Sequence, residues 1–315
     1  MKSVIHDVLH GRPLRHRSIA LPVSDQRQVR IILESAGRDC DVTQRLFGAA
    51  LKPFTIGLHL TTTEADALTV PARATLRFED ATDAAVIGRL LVRTAAGLDL
   101  GPALGLLRPV RSTMPAELIR YRAWRHFLAW RHTRAGARIP HTLEMSYPDL
   151  RALNVFYVLP RPVFLASVAS GERSYLFPMD LVAQVAADRC LLALRRTSLS
   201  VETICADRRV VVSGVPARRK EIAYRLGAHH KQLSIDWTML PFGVVPSDEF
   251  GIPRPVDSTI VRELQIEQFH EIGSHMLFIS RIVSQRVSSD VPQLCHVSDM
   301  YARWRERHGR PFVDA

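Results

Sequence analysis

Short runs of β-branched and apolar residues, each closed by glycine, proline or a polar cluster, recur through the second half of the chain and restrict its fold more than any other feature. LNVFYVL and RPVFLASVAS are followed by SYLFPMDLVAQVA, RCLLALRR and RRVVVSGVP. Runs of this kind with turn-formers between them predict successive strands. ARRKEIAYRLGAHH breaks the series: Ile222, Ala223 and Leu226 recur at helical spacing and Gly227 supplies a stop. ELQIEQF and HMLFISRIV then frame HEIGS as two arms of a hairpin. Many short strands around one internal helix predict a barrel, mainly β with flanking helices, rather than a doubly wound sheet.

The first half has a different texture. QVRIILES, PFTIGLHLT and ATLRFED read as strands, whereas the Ala/Leu-rich stretch from 81 to 135 reads as helical. GARIPHTLEMSYPD, with two prolines, reads as a connector. The expected organisation is an α+β domain over 1–145 and a second domain over 146–315. LKPFTIGLHL has the shape of RPVFLASVAS, a basic residue and proline running into a strand, so a degenerate barrel repeat is one reading of the first domain. A substrate-gating or partner-binding domain is the other.

Composition bounds the function classes. The 315 residues are 47% hydrophobic and 23% charged, which is enough material for two cores. No apolar run reaches the ~20 residues that cross a bilayer, and MKSVIHDVLHGRPLRHR lacks a secretory apolar segment, so a cytoplasmic protein with no membrane contact is expected. Cys40, Cys190, Cys205 and Cys295 are scattered and predict reduced structural thiols. His229 and His230 are adjacent and so point apart, and no metal site is expected. The net charge of +11 suits nucleic acid, an anionic membrane or a phosphate-bearing ligand. Its densest carrier, RYRAWRHFLAWRHTRAGAR, places Ile119, Ala123, Phe127 and Trp130 on one helical stripe with most arginines outside it. That is the pattern of a solvated face beside a core, and nucleic-acid binding is not expected.

RPVFLASVASGERSYLFPMDL, ALRRTSLSVETI and ELQIEQFHEIGSHMLFISRIV, in that order over about 155–285, resemble the flavin reductase family. The resemblance implies the FMN-binding split barrel. It implies that the first segment lies along the flavin ring, that the second holds the flavin phosphate, and that the third carries a histidine, here His275, at the mouth of the site. It also implies a homodimer. Two departures stand out: Asp180 replaces the small hydroxyl residues usual in the family, and Ser274 replaces an acidic residue.

The residues themselves fit that chemistry. Arg195, Arg196, Thr197, Ser198 and Thr203 offer two guanidinium groups and three hydroxyls to a dianionic phosphate, and a helix starting near Ser200 would add backbone N–H groups. Alternatively, Arg195 and Arg196 simply end a strand at the surface. Phe177, Pro178, Met179, Asp180 and Leu181 offer an apolar slot with polar atoms for a ring edge. Gly273 permits a tight turn, Ser274 follows it, and His275 is the candidate for nicotinamide or substrate contact; a half-exposed histidine starting a strand is the plainer reading. His275 and Asp180 are the candidate catalytic residues. Trp237 is expected to cover the flavin or a dimer seam, and CHVSDMYARWRERHGRPF to form a helix wrapping a partner subunit.

The function that follows from the resemblance is an FMN-dependent oxidoreductase of the NAD(P)H:flavin reductase type, with NADH or NADPH as electron donor. It would pass electrons to free flavin, a monooxygenase partner or a small-molecule substrate. The alternatives are a specialised FMN-dependent tailoring enzyme and a non-catalytic flavin-binding protein.

Overall fold

The computed structural model describes residues 16–25, 27–35, 37–60, 73–95, 104–118, 127, 131, 145–227, 234–288 and 291–315. The stripe expected over 119–138 lies outside these residues except for Phe127 and Arg131, and His229, His230 and Lys231 lie outside them as well. The chain forms two compact units. One comprises Met1–Arg17, Arg27–Pro160 and Val297–Phe312, and the other Ser18–Gln26, Arg161–His296 and Val313–Ala315.

Each unit is built on a seven-stranded sheet, and the fourteen strands of the two sheets are numbered together. The first unit has β1 (Val29–Ser35), β2 (Arg38–Asp41), β3 (Leu46–Leu51), β4 (Phe54–His59), β5 (Ala74–Asp80), β6 (Val86–Thr94) and β7 (Leu104–Thr113), in the order β2-β1-β5-β6-β7-β4-β3. The second has β8 (Phe164–Ser170), β9 (Arg173–Met179), β10 (Val182–Ala186), β11 (Arg189–Arg195), β12 (Arg209–Gly214), β13 (Ile260–Ile272) and β14 (His275–Val287), in the order β9-β8-β12-β13-β14-β11-β10. Adding seven to each label of the first order gives the second. By this order the counterpart of RPVFLASVAS is the strand around VRIILES, and PFTIGLH occupies the position of β11.

In both sheets the two outer strands are consecutive in the chain. Met179 ends β9 at one edge and Val182 opens β10 at the other, so the sheet has to curl until its edges meet. The interior of that half-barrel is Met179, Val182, Leu192, Leu194, Val212, Ile266 and Phe278. Helix α1 (Tyr147–Phe156) belongs to the first unit; α2 (Ser200–Asp207) and α3 (Lys220–Gly227) belong to the second. Gly227 ends α3 as its sequence predicts.

Two expectations are corrected. Residues 86–94 and 104–113, inside the stretch expected to be helical, are strands. A bulge at Ile87, skipped where Phe78 pairs with Gly88 and Glu79 with Val86, shifts the alternation of β6 and leaves Ile87, Leu90 and Val92 buried at a spacing that imitates a helix. LNVFYVL is not a strand: Ser146 accepts a hydrogen bond from Asp149 N at 3.2 Å and Pro148 sits in the first turn, so the chain enters α1, whose last residue is Phe156. The C-terminal segment does form a helix, α4 (Asp299–Arg307), but its aromatic face packs within its own chain. Tyr301 is buried and donates to Asp80 Oδ2 at 2.6 Å, while Arg310 holds the other carboxylate oxygen at 3.0 Å.

Candidate functional site

The site is assembled at the end of the β11–β14 ladder. Arg195 is the cross-strand partner of His275, and β13 turns into β14 through Gly273 and Ser274 alone. Gly273 has φ 54°, a conformation that costs any side chain strain, and it occupies the position where a two-residue hairpin calls for glycine. Arg196 N donates to Ser274 O at 3.1 Å and so ties the exit of β11 to this turn. The chain then tightens: Ser198 N donates to Arg195 O at 2.9 Å and Val201 N to Ser198 O at 3.1 Å as α2 begins. Thus Arg195, Arg196, Thr197 and Ser198 meet Gly273, Ser274 and His275 in one corner. Arg195, Arg196 and Thr197 are exposed there. Arg196 pairs with Glu271 at 2.8 Å, and the hydroxyls of Ser198 and Ser200 lie 3.0 Å apart. Thr203 is on α2, and its buried Oγ1 has no hydrogen-bond partner among the described residues.

His275 is buried, with 2% of its surface exposed, which replaces the half-exposed reading. Burial, and after it the positive charge of Arg195, push its pKa down to about 4, so the ring is neutral at pH 7. Its Nδ1 lies 2.8 Å from Ser274 Oγ. A hydroxyl donating to Nδ1 leaves the ring proton on Nε2.

The segment 177–181 runs toward the same corner. Ala193 N donates to Leu181 O at 3.0 Å, one rung beyond the pair Val182 and Leu192, so the chain leading into β10 travels beside the end of β11. Met179 and Phe177 do not project as free contacts: Met179 is part of the barrel interior, Phe177 packs against it, and Pro178 pairs with Leu165. Asp180 Oδ2 lies 3.3 Å from an Arg161 guanidinium nitrogen and 3.0 Å from His296 Nδ1. Sequence reading missed Arg161 and His296 as partners of Asp180. The available signal was the Arg-Pro pair opening RPVFLASVAS, since a buried arginine demands an acceptor.

A model of protein-family membership matches residues 156–305, and its description is "Flavin reductase like domain". Residues 156–305, just under half of the chain, match the flavin reductase-like domain. Solved structures similar to the chain include an NADH:FAD oxidoreductase of Streptomyces globisporus, 16% identical with a TM-score of 0.42, covering 47% of this chain and 88% of that one. An FMN-binding protein of Thermus thermophilus with bound p-hydroxybenzaldehyde is 21% identical with a TM-score of 0.37, covering 41% and 73%. The flavin reductase component of a bacterial two-component tryptophan halogenase is 16% identical with a TM-score of 0.40, covering 47% and 97%. No curated protein matches the chain.

The corner of the flavin reductase-like domain fits a phosphate-bearing cofactor. It presents two exposed guanidinium groups and adjacent hydroxyls, and the helix that follows carries a buried threonine hydroxyl with no hydrogen-bond partner among the described residues. Among the described residues no group of histidine, cysteine, aspartate and glutamate is placed to hold a metal ion, and no helix is long and apolar enough to cross a membrane. The four cysteines are thiols outside any disulfide among the described residues, and burial pushes those of Cys190 and Cys295 up to about 11 and about 12.

Proposed function

We propose that the protein is an FMN-dependent oxidoreductase of the NAD(P)H:flavin reductase type. The observation that carries this reading is the convergence of Arg195, Arg196, Thr197 and Ser198 with Ser274 and His275 inside the segment that matches the family. Arg195 and Arg196 neutralise the cofactor phosphate, with the hydroxyls of Thr197 and Ser198 and that of Thr203 completing the donor set. Residues 177–181 line one side of the ring, with Met179 and Phe177 acting from the barrel interior as its apolar backing. Bound flavin supplies the hydride chemistry, taking electrons from NADH or NADPH and passing them to free flavin, a monooxygenase partner or a small organic molecule.

The chain's own residues position and insulate. His275, neutral because it is buried, offers a hydrogen bond to a carboxamide or ring edge without bringing charge into the pocket. The charge of Asp180 is met by Arg161, which reduces its opposition to negative charge on a neighbouring ring. The common strand order supports reading residues 29–113 as a second copy of the barrel. Its binding positions have changed: His59 ends β4 where Arg195 ends β11, and Leu104 opens β7 where His275 opens β14.

The test is an absorption spectrum of the purified protein after loading with FMN, followed by anaerobic addition of each nicotinamide. Flavin bands that bleach with NADH or NADPH are expected. Loaded protein inert to both nicotinamides would move the assignment to the tailoring enzyme, and failure to load FMN would remove the flavin reading. His275→Ala is expected to slow bleaching by about tenfold to a hundredfold while loading is retained.

A further inference from the structure

A chain of polar side chains in the second unit lies outside the corner described above, touching it only through Asp180. Asp180 follows the last residue of β9. His296 lies on the strand Gln293–Ser298, whose cross-strand partner for His296 is Arg161. Tyr224 is on α3, and Ser18 is on the strand His16–Leu21. Asp180 Oδ2 accepts from Arg161 at 3.3 Å and is 3.0 Å from His296 Nδ1; His296 Nε2 is 3.0 Å from the Tyr224 hydroxyl, which in turn contacts Ser18 Oγ. The imidazole and phenol planes are 5° apart with centroids separated by 5.9 Å, too far for face-to-face contact and suited to a hydrogen bond between ring edges.

Elementary donor and acceptor rules give this chain a direction. A guanidinium only donates and an ionised carboxylate only accepts, so the hydrogen between His296 and Asp180 belongs to Nδ1. When the imidazole carries its single proton at Nδ1 its lone pair is on Nε2, and in that form the Tyr224 hydroxyl donates to it. The phenol proton is thus aimed at a base that a carboxylate orients from behind, the same relation that activates the hydroxyl in hydrolytic triads. Asp180 and His296 are partly buried, with side chains 26% and 17% exposed, whereas Tyr224 is 43% exposed. The relay is therefore inside and its reactive end reaches solvent. Among the described residues, Arg161 pairs with Asp180, and one turn before Tyr224 on α3 the Lys220 ammonium donates to Ala315 O at 2.9 Å.

We propose that Tyr224, His296 and Asp180 form a proton-transfer triad in which the Tyr224 phenol is the working base. The proton of Tyr224 moves to His296 Nε2, and the imidazolium is stabilised by Asp180. The phenolate oxygen then takes the proton from an O–H of the ligand, breaking that bond and reforming the phenol. The matching ligand class is a small organic molecule with a phenolic or enolic hydroxyl, because proton transfer is most efficient between groups of similar acidity and a phenol titrates near ~10.

The test uses benzenesulfonyl fluoride on the full chain at pH 7.5, with the modified residue located by peptide mass spectrometry. Attack by the Tyr224 oxygen forms the S–O bond and expels fluoride, while the phenol proton stays on His296. Tyr224 should be modified about a hundredfold faster than N-acetyltyrosine amide, and Asp180→Asn or His296→Gln should remove most of that advantage. Equal rates in the wild type and both variants would overturn the proposal. Because Asp180→Asn also faces Arg161 and could disturb folding, ring-nitrogen NMR of histidine-labelled wild-type protein gives a second readout. A hydrogen on Nδ1 of His296, with Nε2 shifted by Tyr224→Phe, supports the triad; a hydrogen on Nε2 sinks it. Neither readout depends on flavin loading, so failure here is distinguishable from failure of the reductase assignment.

Discussion

His275 sits where two requirements conflict. A group meant to touch a ligand needs access, yet the ladder that positions it buries it beside Arg195. The neutral ring resolves the conflict and leaves a signature in stability. The folded-state pKa, about 4, lies below the unfolded value of 6.5. As pH falls through 6.5 the unfolded chain takes up a proton that the folded chain refuses, so this stabilisation is complete above 6.5 and is lost as pH approaches 4. The full effect is on the order of 3 kcal/mol. Urea melts at pH 7 and pH 4.5 should show wild type losing more stability than His275→Asn, and equal losses would mean that the ring is charged in the fold. Arg195, Arg196, Thr197, Ser198, Ser274 and His275 could be read from sequence because they are two runs of consecutive residues. The partners of Asp180 could not, since Arg161 and His296 reach it only through strand pairing.

Elements show where local pattern suffices and where it misleads. The strands β1, β4, β5 and β8 alternate or run apolar between turn-formers and are legible directly. β6 and β7 are not, because a bulge at Ile87 in β6 and another at Val110 in β7 break the period of two. α1 shows the reverse: its apolar run imitates a strand, and the deciding signal is the Ser146 cap ahead of it. The hairpin of β3 and β4 has a different dependence. Gly57 faces Phe47, and a Cβ at Gly57 would fall 1.8 Å from the Phe47 ring. Phe47 is buried and cannot swing clear, so Gly57→Ala should cost about 1–3 kcal/mol. A thermal melt checks this, and an unchanged midpoint would mean that the ring relocates freely.

At the scale of the whole molecule, two units share one strand order but differ at corresponding strand ends. His59 and Leu104 stand where Arg195 and His275 stand in the other unit, so the paired arginines proposed to hold a cofactor phosphate have no counterpart there. Titration with FMN should therefore saturate at about one flavin per chain, and a stoichiometry of two would show that the first unit retains a site of its own.

The sequence by itself determined the β character of the second unit, the end of α3 at Gly227, and the two short runs, 195–198 and 273–275, that meet at one corner. Each of these depends on neighbours in the chain, through side-chain periodicity, a stop residue or a cluster of like chemistry. Only the tertiary structure decided that both sheets curl with one strand order, that α4 packs through Tyr301 onto Asp80, and that Asp180 opens a relay to His296 and Tyr224. Those features join residues far apart in sequence, and what selects them is the pairing of buried polar atoms and the closure of sheet edges, which a linear pattern does not record.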